Sequence, residues 1–159
     1  MTAASSNRRA VYWMLALALV GIADAFYVAS SSYAGQPLRE FFIEGANTVL
    51  NSPYARIAGV PLSYLGLMFY AHMFALALLL AVDPSSRGLR LGALLYSAMG
   101  VCASGYFMYL QLNYIRALCI YCMLSAVLTV LLFITALRQL AAARQPASSF
   151  AGLARPSGL

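Results

Sequence analysis

At 159 residues, 63% hydrophobic and 9% charged, with a mean hydropathy of +0.80, the chain holds more apolar side chains than one soluble core can bury. The formal charge of +6 rests on arginines alone, scattered along the chain and never gathered into a stripe, which argues against a nucleic-acid binder. A bilayer protein remains, with four stretches near the roughly 20 residues that cross a hydrocarbon core: Ala10 to Ala29, Pro61 to Val82, Leu91 to Leu112 and Cys119 to Leu137.

Residues 1–9 are polar and read as a disordered cytoplasmic arm. The first span then carries a carboxylic acid, Asp24, costly enough inside a bilayer to point to function; a hydrogen bond to Tyr27 or to a neighbouring helix is the structural alternative. Arg8, Arg9, the apolar run and "ADA" (Ala23 to Ala25) also resemble a secretory signal with a cleavage site, but apolar character resumes in "AFYVA" and favours a retained helix.

Between the first two spans, Ser30 to Val60 is the one connection with room for structure. In "GANTVLNSPYARIAG", Ala46, Val49, Leu50, Pro53 and Ile57 fall on one side at helical spacing, so the segment is expected to lie on the membrane as a short helical lid. Ser52 before Pro53 reads as an N-cap with proline at the first helical position, which predicts a break and restart there and two short pieces.

The second span holds the chain's one histidine, His72, a candidate proton donor to a reduced ligand or else an interhelical hydrogen-bond partner. After the short turn "DPSSRGLR", the third span places Cys102 among small residues in "SAMGVCASG", where close helix packing is its expected role. Tyr106, Tyr109 and Gln111 follow toward its far end and could line a flat aromatic pocket with polar anchors. The tight connection "NYIRAL" leads to "CIYC", Cys119 and Cys122, at the start of the fourth span.

A CxxC at a helix N-terminus suits disulfide exchange, because free N–H groups and the helix dipole favour the attacking thiolate, and Arg116 adds positive charge. Zinc is a weaker reading, since it needs four ligands and His72 lies in another span, so no metal is expected. Two buried structural cysteines are the bland alternative. With a cytoplasmic N-terminus, seven arginines fall inside and three outside, as the positive-inside rule requires. Both termini are then cytoplasmic and the CxxC meets the outer, oxidising side, expected to be that of a bacterial inner membrane. Residues 10–140 read as one membrane domain and 141–159 as a flexible cytoplasmic tail.

Two segments, "VLNSPYARIAGVPLSYLGLMFY" (Val49 to Tyr70) and "ALCIYCMLSAV" (Ala117 to Val127), resemble the vitamin K epoxide reductase family of membrane oxidoreductases, and the likeness extends from Ala10 to Leu137. The resemblance implies an all-α bundle of four transmembrane helices holding a quinone (menaquinone, ubiquinone or vitamin K type) near the outer surface. By the same resemblance Cys122 is the thiol facing the quinone, Cys119 exchanges with other thiols, and Ser52 sits near the quinone head. Because the chain ends soon after the fourth span, the expected thiol partner is a separate thioredoxin-like protein, periplasmic or luminal.

This sequence departs from the family in the outer loop, where members commonly carry a second cysteine pair. Ala46 stands at one of those places and Glu40 near the other. A natural variant whose partner attacks the CxxC directly is the favoured explanation over substitutions that trap one redox state. The alternative function is a non-catalytic paralogue of the same fold that binds a quinone or partner without turnover.

Overall fold

The computed structural model describes residues 2–39 and 45–144. Four long helices dominate: α1 (Thr2–Ala34), α3 (Leu62–Val82), α4 (Arg87–Leu110) and α5 (Ile120–Arg144). Each is long and apolar enough to cross a membrane, and α1 packs on α3 and α5 while α4 packs on α5 and α3. The protein is an all-α integral membrane bundle. Large apolar side chains such as Leu19, Phe26, Leu79, Leu95 and Leu137 remain exposed on its outside. A water-facing surface rarely carries so much apolar area, whereas lipid accepts it at no cost.

Small residues set how closely the helices approach. The Tyr70 ring lies within 2.2 Å of where a Cβ on Gly21 would stand, so α1 and α3 meet through a position that only glycine can fill. The Tyr70 hydroxyl then donates to the Ser125 carbonyl at 2.8 Å and lies 3.2 Å from Thr129 Oγ1 on α5. One side chain thus ties three helices together. Met14, Ala18, Met73, Ala77, Leu80, Leu132 and Ala136 fill the rest of the core.

The turn between α3 and α4 closes by local hydrogen bonds. Asp83 accepts from the Ser85 backbone N–H at 3.1 Å and from its hydroxyl at 2.6 Å, and Ser86 caps α4 by accepting from the Leu89 N–H.

The lid forms as expected, in two short pieces: α2 (Ala46–Leu50) and a 3₁₀ turn (Pro53–Ala55). It then continues into a small hairpin that the sequence reading did not anticipate, β1 (Arg56–Ile57) paired antiparallel with β2 (Val60–Pro61). Its two-residue turn takes positive φ at both Ala58 and Gly59, the backbone that matches the right-handed twist of paired strands. Helix α1 begins at Thr2, so residues 2–9 continue the helix where a disordered arm was expected. At the other end, α5 extends through Arg144, and the rest of the expected tail, from 145, lies outside the described residues.

Candidate functional site

The connection from α4 to α5 gives the site its shape. Helix α4 loosens into a π-helical turn (Gln111–Ile115), and Arg116 takes left-handed backbone (φ 54, ψ 32) to reverse the chain into Cys119. Such π turns recur at functional sites because they re-aim side chains. Here Gln111, 2% exposed, accepts a hydrogen bond from the Cys119 backbone N–H at 2.9 Å. That bond holds the first residue of the CxxC against the end of α4.

The two sulfurs are adjacent across the first turn of α5. The Cys122 backbone N–H points at Cys119 Sγ, with N to S 3.4 Å, which is the helix N-terminus favouring a thiolate at Cys119. Their surroundings differ. Cys119 is 1% exposed and packs under the lid with Val28, Leu38, Ala46 and Val49. Cys122 lines a cavity of about 420 Å³ enclosed by α1, α3, α4 and α5.

Most of that cavity wall is apolar or aromatic, including Leu62, Met68, Phe69, Met99 and Phe107. Its polar positions are few and mostly satisfied: Gln111 by Cys119, Tyr121 by donating to the Arg39 carbonyl at 2.7 Å, and Ser125 and Thr129 by Tyr70. Asp24 also borders it, close enough to both cysteines to act on them electrostatically. This pattern fits a flat, mostly apolar ligand with a few polar atoms, as a quinone ring is. A second cavity of about 590 Å³ lies under the lid on the loop side, and Leu50, Leu62 and Ser63 belong to both walls.

The lid is held down by paired bonds. The Leu38 N–H donates to Asn47 Oδ1 at 2.8 Å and Asn47 Nδ2 donates to the Leu38 carbonyl at 3.1 Å. Gly45, just before α2, lies so close to Leu118 that a Cβ there would stand 2.6 Å from its carbonyl oxygen. Ala46, at one of the family's loop-cysteine places, is 0% exposed and belongs to the cluster around Cys119. The other place, Glu40, lies outside the described residues.

Of the residues singled out from sequence, the structure brings Asp24, Gln111, Cys119 and Cys122 together. It does not bring the others to the cavity. Ser52 precedes the 3₁₀ turn as expected, yet its hydroxyl donates back to the Val49 carbonyl at 2.6 Å instead of capping, and it lines neither cavity. His72 is exposed and its Nδ1 bonds the Met68 carbonyl of its own helix at 2.8 Å. Tyr106 and Tyr109 are 59% and 53% exposed. Gly100, Ala103, Ser104 and Phe107 form the face of α4 that meets the cavity, and at 3.6 residues per turn Tyr109 lies opposite it and Tyr106 on its flank. Cys102 is exposed for the same reason, so Ser97 and Gly100, not Cys102, make the close helix contacts. Sequence reasoning passed over Tyr70 and Ser63; the hydroxyl two residues after Pro61, at the start of an apolar helix, was the available signal for the latter.

A dithiol set at the end of an apolar cavity inside a four-helix membrane bundle defines a membrane thiol oxidoreductase. The chain matches the vitamin K epoxide reductase family over residues 12–137 and belongs to that family. No curated protein matches it. Family membership together with the adjacent sulfurs makes it a quinone-linked thiol/disulfide oxidoreductase. The family is quinone-dependent in general, and its members generally partner with thioredoxin-like thiol proteins.

Proposed function

We propose that the protein carries two electrons from an external dithiol protein to a quinone in the 420 Å³ cavity, with Cys119 as the exchanging thiol and Cys122 as the quinone-side thiol. The observation that carries this reading is the division of the dithiol: Cys122 borders the cavity, and Cys119 faces the lid.

A partner thiolate attacks Cys119 of the oxidised pair, breaking the Cys119–Cys122 bond and releasing Cys122, which takes up a proton. The partner's second thiol then displaces Cys119 and leaves as the partner's own disulfide. The enzyme now holds two thiols. Closing them again into a disulfide releases two electrons and two protons; a bound quinone supplies the oxidant that accepts them. Gln111 keeps Cys119 in register through its backbone N–H. Asp24, the acid on the cavity wall, holds and passes a proton beside the dithiol.

Because Cys119 is covered by Leu38, Ala46 and Val49, an outside thiol reaches it only when the lid separates from the first turn of α5. The absent loop cysteines make that contact direct, with no internal relay. The arginine distribution supports cytoplasmic termini and a CxxC on the outer face, which suits a separate thioredoxin-like partner in an oxidising compartment of a bacterial cell.

The test is dithiol-driven reduction of a short-chain quinone by the purified protein, with Cys119→Ala and Cys122→Ala alongside. Turnover by the natural protein and a loss of about 10³-fold or more in both variants is expected. Turnover that survives in either variant, or none in the natural protein with a range of quinones, overturns the reading.

A further inference from the structure

Buried polar atoms in folded proteins nearly always find a partner, so one that does not calls for an explanation. Among the described residues, two buried side-chain polar atoms lack one: Ser63 Oγ and Arg90 Nε. Arg90 stands at the other end of the bundle, where its remaining nitrogens bond the Gln139 and Pro84 carbonyls, so its orphan atom belongs to a guanidinium that is otherwise held. Ser63 has no such compensation. The residue lies in the first turn of α3 and borders both cavities.

We infer that Ser63 is a quinone-binding residue, its hydroxyl donating to a carbonyl oxygen of the ring at the lid end of the 420 Å³ cavity. The inference rests on the function proposed above and adds to it a specific contact. The chemistry is suited to both redox states, because a serine hydroxyl can donate to a quinone carbonyl and accept from a quinol hydroxyl. Leaving a buried hydroxyl bare costs free energy that a ligand's carbonyl recovers on binding. Leu50 and Leu62, the two other residues common to both walls, have apolar side chains, and Ser63 Oγ takes no partner from the rest of the protein. The contact therefore favours rings that carry an exposed carbonyl acceptor, and it discriminates against an equally flat hydrocarbon.

The experiment compares the full-length protein with Ser63→Ala and Ser63→Thr in nanodiscs, using a short-chain ubiquinone labelled with ¹³C at one carbonyl position at a time. Infrared difference spectra read the carbonyl stretch of the bound ring, and steady-state kinetics read KM and kcat separately. The natural protein should show a carbonyl band shifted down by hydrogen bonding. Ser63→Ala should lose that shift and raise the quinone KM about tenfold, the loss of one hydrogen bond, with kcat and the dependence on dithiol concentration within twofold. Ser63→Thr, which keeps the hydroxyl, should restore both. A bound ring whose band and KM are the same in Ser63→Ala overturns the assignment and leaves the proposed function standing. Equal loss in the Ala and Thr variants assigns the effect to packing and also overturns it. A natural protein that neither binds nor reduces quinone overturns the function and this contact with it.

Discussion

The two ends of the bundle put the same four helices to different uses. Toward the first turns of α1 and α4, Met14, Ala18, Met73, Ala77, Leu80 and Leu132 pack into one buried cluster, and Gln139 Nε2 reaches Met14 Sδ at 2.9 Å while the Gln139 backbone carbonyl accepts from Arg90. Toward the lid the same helices part around 420 Å³ of space, and irregular backbone gathers there: a π turn, a left-handed Arg116 and a hairpin with positive φ. Bilayer-spanning chains must satisfy their backbone internally, so irregularity is confined to where it lines a cavity or lies at the surface. The closed end sets the spacing of the helices, and the open end uses that spacing to leave a cavity that Cys122 borders.

Substitutions sent to each end put that contrast at risk. The largest expected effect is all-or-none: Ala46→Cys, placed in the cluster around Cys119 and combined with Cys122→Ser so that Cys119 cannot close on its usual partner, should form a disulfide between the introduced sulfur and Cys119 on oxidation. Intact mass and a gel shift after thiol capping read it directly, and an introduced sulfur that stays free in the oxidised variant would show that α2 does not sit where the cluster puts it. In the closed half, Leu132→Ala, at a fully buried position, should cost about 2 to 4 kcal/mol of stability through lost packing. Thermal unfolding in detergent gives the size of that loss, while kcat at permissive temperature should hold; if activity falls in step with stability, the division of labour between the ends is not real.

Smaller and more diagnostic is Gly100→Ala. A Cβ there would stand 2.5 Å from the Phe69 ring and 2.9 Å from Thr129 Cγ2, and Phe69 is stacked on Tyr96 with centroids 5.1 Å apart. The ring must swing, reshaping the cavity it lines, and the quinone KM should rise about fivefold to tenfold, roughly 1 kcal/mol, alongside a melting temperature lowered by the overpacking. Unchanged KM would remove Phe69 from the binding wall.

The smallest effect belongs to the α3–α4 turn. The Ser85 hydroxyl donating to Asp83 holds that carboxyl below its ordinary value. The sign follows: a depressed carboxylate contributes stability above its ordinary pKa and loses it as pH falls through the lowered one. Carboxyl NMR should place the Asp83 midpoint below the usual 3.9 or so, and Ser85→Ala should return it upward. A midpoint that ignores the substitution would assign the shift to another neighbour.

The spans and the dithiol are legible in the sequence because each has a signal of its own length: about twenty apolar residues, and two cysteines three apart. The lid's break at Pro53 is legible because proline cannot continue a helix from within it. What escaped reading depends on phase and on distant partners. Proximity along the chain makes Tyr106 and Tyr109 candidates for the pocket lining, whereas the turn of α4 sends them outward. The hairpin escaped because strands of two residues carry no period. Ser63 looked like any serine at a helix start until the fold enclosed its oxygen without a partner.

Leu50 ties the lid to the kinetics. It sits at the end of α2, packs against the cluster over Cys119, and forms part of both cavity walls. Raising the lid to expose Cys119 therefore removes a wall from the cavity proposed for the quinone, and a ring bound there against Leu50 would weigh the lid down. The two substrates must take turns, so velocities plotted in double-reciprocal form at several quinone concentrations should give parallel lines.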